Sequence, residues 1–132
     1  MVKPVPYLLL RLLIGISLFG HGLVRLPKLD KFSGWMVKLF EGSMLPQIVV
    51  EPYSYVLPFA EFITGIFICI GLFTRYAVIA GILIIFSLLF GSTMIEQWDA
   101  IPGQLIHGSI LIVLLNYIEA NHYSIDYKIK KH

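Results

Sequence analysis

The sequence predicts an all-α integral membrane protein: an antiparallel four-helix bundle with a short interfacial amphipathic helix between the first and second spans. Three observations carry that prediction. The chain of 132 residues is 58% hydrophobic, against roughly 45–50% apolar usage in soluble domains, and its mean hydropathy is +0.83. Four windows, about 7–25, 53–73, 76–95 and 100–118, approach the ~20 apolar residues a helix needs to cross the bilayer core. No period-2 pattern suggests a barrel, and a chain in lipid must satisfy its own backbone groups, so helices are the remaining way to span. The whole chain, 1–132, reads as a single four-span domain.

In the first span Lys3 precedes an apolar run, but Arg11 interrupts it and no small-residue cleavage site follows, so it reads as a retained helix and not a leader. The long loop after it carries Phe32, Trp35, Met36, Leu39 and Phe40 at i, i+3, i+4, i+7 and i+8, which predicts a helix over about 30–41. Lys31, Ser33, Lys38 and Glu41 fall off that stripe. The helix should therefore lie at the membrane surface with Trp35 as its interfacial anchor. Pro46, Pro52 and Pro58 shape the entry to the second span, where Pro58 would loosen the helix one turn before Glu61. A tight turn around Thr74, Arg75 and Tyr76 leads to the third span, which carries no charge, and the acidic turn Glu96 to Asp99 leads to the fourth.

Charge and cysteine content exclude several functions. A net charge of +2 spread over loops and tail gives no basic stripe for nucleic acid. The lone Cys69 rules out an intramolecular disulfide, a CxxC redox pair and a cysteine zinc site. Lys3, Arg75, Lys128, Lys130 and Lys131 fall on one side of the membrane, and Arg25, Lys28, Lys31 and Lys38 on the other. With only acids in the third loop and a lysine-rich, solvated tail, both termini are expected in the cytoplasm.

Charged groups in a bilayer cost at least ~2.5 kcal/mol each, so ionisable residues inside the spans are the candidate functional residues. At helical spacing Arg11, Gly15, Leu18, Gly22 and Arg25 share one stripe with His21 at its edge; Ser54, Glu61, Gly65, Ile68 and Leu72 share another; Gly103, His107 and Leu114 a third. Alternating helix directions place His21, Glu61 and His107 in one leaflet half, roughly 8–14 Å deep at 1.5 Å per residue. Arg25 and Gln104 flank them, and Gly22 and Gly65 allow close approach. Arg11 belongs near the opposite surface, where it would reach lipid phosphate or pair with another element. Arg11, Arg75 and Trp35 are thus expected in structural or interfacial roles.

A carboxylate and two imidazoles at this depth can exchange protons near neutral pH and hydrogen-bond the carbonyls of a headgroup arriving from lipid. Quinone reduction needs two protons. The same residues could equally form a closed interhelical network that only fixes helix register. Haem ligation by His21 and His107 is disfavoured, and no metal-binding spacing is present.

The runs Arg11-Leu-Leu-Ile-Gly15, Gly20-His21-Gly22-Leu-Val-Arg25-Leu, Glu61-Phe-Ile-Thr-Gly65 and Gly71-Leu-Phe-Thr-Arg75 resemble the DoxX family of small four-helix bacterial membrane proteins. The likeness extends over nearly the whole chain. It implies a protein of the bacterial cytoplasmic membrane linked to redox work. Relatives are subunits of thiosulfate:quinone oxidoreductase, and some members join sulfurtransferase-like or superoxide-detoxifying partners. The family often has lysine where this chain has Arg25, which keeps the charge but alters the hydrogen-bond geometry.

The expected function is a subunit of a quinone-linked membrane oxidoreductase. Glu61, His21 and His107 would handle protons, and Arg25, Gln104, Gly22 and Gly65 would shape the pocket. No flavin, nicotinamide or iron-sulfur fingerprint is present, so electrons would have to come from a protein partner. The alternative is a non-catalytic accessory or scaffold subunit, with homo-oligomerisation open to either.

Overall fold

The computed structural model describes residues 2–132, and among them there is no strand. Helix α1, Pro4–Arg25, begins where two prolines fill its first turn, positions at which the missing N–H costs nothing. A single turn of 3-10 helix, Leu26–Lys28, leads into α2, Leu29–Leu39. Helix α3 spans Gln47–Ile70, α4 Thr74–Met94, α5 Ile101–Asn116, and the short α6 Ile125–Lys131. Four segments are long and apolar enough to cross a membrane: the run beginning with α1, then α3, α4 and Trp98–Asn116.

Two boundaries differ from the sequence reading. Helix α3 starts at Gln47 and not near Tyr53, because extended Pro46 caps it and the helix tolerates Pro52 and Pro58 in its interior. Each of those prolines leaves one carbonyl without its usual N–H partner. The turn between α3 and α4 falls at Gly71–Phe73, ahead of Thr74. Gly71 takes a left-handed conformation with φ 70°, and its N–H donates to Phe67 O at 2.9 Å. Phe73 is also left-handed, with φ 47°. The Asp126 carboxylate holds it there, accepting from Phe73 N and Thr74 N at 2.7 Å each. A carboxylate at the start of α4 also complements the helix dipole.

Small residues set the helix crossings. A Cβ on Gly22 would sit 2.5 Å from Phe62 N, and one on Gly65 would sit 2.3 Å from Phe19 N. Gly15 meets Cys69 and Ile68 in the same way. Residues ascending α1 thus meet residues descending α3 with backbone in near contact, as small-residue interfaces in membranes allow. Similar descending pairs join α1 to α5, through Tyr7 with Leu114 and Ser17 with His107, and α4 to α5, through Ser92 with Gln104. The main core joins Tyr7, Ile14, Leu18, Ile68, Val78, Ile85, Leu111 and Leu114. Phe32 and Met36 of α2 pack with Val50 and Leu57 of α3 in a second core. Large apolar side chains such as Leu9, Leu13, Ile63, Leu83, Phe86 and Ile106 are exposed on the outside. An outward apolar surface of this kind suits lipid.

Ser33, expected off the buried stripe of α2, is buried, with its hydroxyl 2.6 Å from that of Ser54. Lys128, Lys130, Lys131 and His132 are exposed, and the segment ahead of them is anchored. Its backbone folds against the α3–α4 turn, where Asp126 N donates to Gly71 O at 3.0 Å and Ser124 caps α6.

Candidate functional site

The α1–α3 crossing carries the polar residues to one cavity. Gly22 lets α1 close on α3, so Arg25, one turn later, reaches Glu61 on the facing helix. Arg25 Nη1 donates to both carboxylate oxygens, at 3.0 and 3.2 Å. Glu61 is only 2% exposed, whereas Arg25 is 25% exposed and stacks over the Phe32 ring at 4.5 Å. Water is nearly excluded from the carboxylate, so the guanidinium supplies the compensation a buried charge requires.

Beside this pair lies a cavity of about 340 Å³, walled by α1 to α5 and the loop before α5. His21, Arg25, Glu61, Gln104 and His107 all line it, together with Trp35, Tyr53, Ser87 and Ser92. The two imidazoles lie edge to face, with ring centres 6.2 Å apart. Ser17 joins them: its hydroxyl lies 2.7 Å from His107 Nε2, and its carbonyl 2.6 Å from His21 Nδ1. Gln104 donates its amide to Ser92 Oγ at 2.8 Å, leaving its buried Oε1 without a partner. Both ring nitrogens of His107 are engaged, Nε2 with the Ser17 hydroxyl and Nδ1 with Gly103 O at 2.8 Å.

Other expected residues lie apart from the cavity. Gly22 and Gly65 do not line it; they are taken up by the helix crossing, where their missing side chains let backbone approach backbone. Arg11 is buried at the far end of α1 and does not reach out to phosphate. It donates to Asn121 Oδ1, Tyr123 O and Cys69 O. Asn121 in turn donates to Thr74 Oγ1 at 3.0 Å, so Arg11 ties the C-terminal segment to α3 and α4. Arg75 is exposed beside that turn, whereas Trp35, 53% exposed on α2, does line the cavity.

The sequence reading passed over Ser17, Tyr53 and Ser87. The signal for two of them was helical spacing: Ser17 stands four residues before His21, and Tyr53 eight before Glu61. Ser87 is found only through its partner, since Tyr53 Oη lies 2.7 Å from its Oγ. Among the described residues no group of three or more His, Cys, Asp or Glu is placed to hold a metal ion.

The DoxX family model matches residues 7–95, about two thirds of the chain. The chain belongs to the DoxX family. No curated protein and no solved structure matches it. The matched stretch of this DoxX protein holds Ser17, His21, Arg25, Tyr53 and Glu61, while Gln104 and His107 on α5 lie beyond it. Family membership and four apolar helices make it a multi-pass membrane protein.

Proposed function

We propose that this DoxX protein is a redox-linked subunit whose cavity receives a quinone-like headgroup, with Glu61, His21 and His107 exchanging protons and Arg25 and Gln104 positioning the ligand. The observation that carries the reading is the joint placement of a carboxylate, a guanidinium and two imidazoles on one cavity of about 340 Å³ among apolar walls. That volume falls in the range of small-molecule sites, roughly 300–1,000 Å³, and a few polar groups among apolar ones is how such sites orient a ligand. Reduction of a quinone to a quinol takes up two electrons and two protons. Imidazole and carboxyl groups can exchange those protons with the ligand in either direction, and a protein partner would exchange the electrons. The setting we infer is the bacterial cytoplasmic membrane with both termini inside, the lysines of the tail meeting anionic lipid.

One feature favours a second reading, an accessory or scaffold subunit: the Arg25–Glu61 pair is already satisfied without a ligand. Lipid extraction of gently purified protein, together with quinone-dependent turnover of Glu61→Gln in the native complex, separates the two. The site reading expects co-extracted quinone and a large loss of turnover. No quinone in the extract and full turnover in the variant would leave the scaffold reading standing.

A further inference from the structure

The protons around the cavity can be assigned one at a time, because a carbonyl only accepts and a hydroxyl has a single hydrogen to give. His21 Nδ1 lies 2.6 Å from Ser17 O, and His107 Nδ1 lies 2.8 Å from Gly103 O. Both contacts require Nδ1–H. In the neutral ring each Nε2 is therefore an acceptor. His107 Nε2 takes the proton of the Ser17 hydroxyl at 2.7 Å. Ser87 gives its only hydroxyl proton to Ile84 O at 2.6 Å, so Tyr53, 2.7 Å from Ser87 Oγ, must be the donor in that pair.

Each of these protons is directed into the protein. His21 and Tyr53, both on the cavity lining, are left with unused lone pairs. Among the described residues, His21 Nε2 has no hydrogen-bond partner, and Tyr53 Oη receives no protein donor. Donors remain elsewhere on the lining: the Arg25 nitrogens not held by Glu61, the Trp35 indole, the Ser92 hydroxyl and the Gln97 amide. The carboxylate of Glu61, the one acid among the lining residues, is already covered by Arg25.

We infer that the cavity selects a headgroup that donates hydrogen bonds: a dihydroxyarene, the reduced form, in preference to the corresponding dicarbonyl. This rests on the quinone-headgroup reading above and adds to it the redox form that the site holds. Two ligand hydroxyls would donate to His21 Nε2 and Tyr53 Oη. A dicarbonyl would set its oxygens against those same lone pairs.

The test uses the purified full chain in lipid nanodiscs, without oxygen, at about pH 8, above the ordinary imidazole pKa of roughly 6.5. The probes are trimethylhydroquinone, trimethylbenzoquinone and the dimethyl ether of the hydroquinone. The hydroquinone should bind about tenfold more tightly than the quinone, as a gained hydrogen bond at each end would give, and the ether no better than the quinone. His21→Asn keeps a donor for Ser17 O but removes the Nε2 acceptor. With Tyr53→Phe as a second variant, each should cut the preference to about threefold or less. Nitrogen NMR of histidine-labelled, ligand-free protein gives a reading independent of any ligand and should show both rings as the Nδ1–H tautomer. Equal binding of the two redox forms, tighter binding of the quinone, or an Nε2–H tautomer at His21 overturns this inference. Binding of neither form overturns the quinone-headgroup reading beneath it.

Discussion

Adding one methyl group at the glycines of α1 and α3 tests whether backbone contact holds the site together. A Cβ on Gly65 would lie 2.3 Å from Phe19 N and 2.6 Å from Phe19 Cα, and one on Gly22 would lie 2.6 Å from Pro58 O. The obstructing atoms are helix backbone, which cannot turn aside as a side chain can. Ordinary contact begins near 3.4 Å, so Gly65→Ala must part the helices by about 1 Å, an overpacking that costs about 1–3 kcal/mol. Gly15→Ala should cost less, because its shortest contact, 2.7 Å, is to the Cys69 sulfur, which can rotate away. Gly20 and Gly103 meet nothing within 4 Å, and alanine there should be neutral or stabilising by a few tenths of a kcal/mol. Parting the helices also pulls Arg25 from Glu61, whose present bonds of 3.0 and 3.2 Å leave little slack. Thermal unfolding in one detergent should rank stability as Gly20→Ala and Gly103→Ala, then Gly15→Ala, then Gly22→Ala and Gly65→Ala. Equal stability of Gly65→Ala and Gly20→Ala would refute the backbone-contact argument.

Three further outcomes follow from the same contacts. Arg25→Met should destabilise more than Glu61→Gln, because it strands a carboxylate that is 2% exposed, whereas the freed Arg25, 25% exposed, can turn outward; unfolding midpoints of the two variants check the order. Asp126→Asn removes the charge and one of two acceptors at the start of α4, costing about 0.5–2 kcal/mol as for a lost cap; faster hydrogen exchange at Phe73 and Thr74 would report it. Arg11→Met releases Asn121 and Tyr123 together, so limited trypsin digestion should cut at Lys128 faster than in the parent, with no change if the segment holds by other means.

The helical spans were legible because lipid imposes a simple rule on the sequence, about twenty apolar residues per crossing. Periodicity also carried information about faces: Arg11, Gly15, Leu18 and Gly22 are all buried, as are Ser54, Glu61, Gly65 and Ile68, while Arg25 and Leu72 at the stripe ends are half-buried. Spacing alone did not separate a glycine that meets a ligand from one that meets a helix, since both need the same absent side chain. Gly22 and Gly65 read from sequence as both pocket-shaping and crossing residues, and in the structure both lie at the crossing. The turn at Gly71–Phe73 was misplaced because Asp126, more than fifty residues away, supplies the acceptors that hold Phe73 left-handed. Arg11 has the same character, its partners Asn121 and Tyr123 lying more than a hundred residues away. Contacts of that separation leave no local signal.

The most direct test of the account asks where a headgroup sits. A short-tailed azidoquinone, photolysed with the membrane-embedded protein and mapped by mass spectrometry, should label peptides of α1 around His21, of α2 around Trp35 and of α5 around His107, the elements that wall the cavity. Excess unlabelled headgroup should suppress that labelling. Labels scattered over the outward apolar faces at Leu13, Leu83 and Ile106, with none suppressed by competitor, would contradict it.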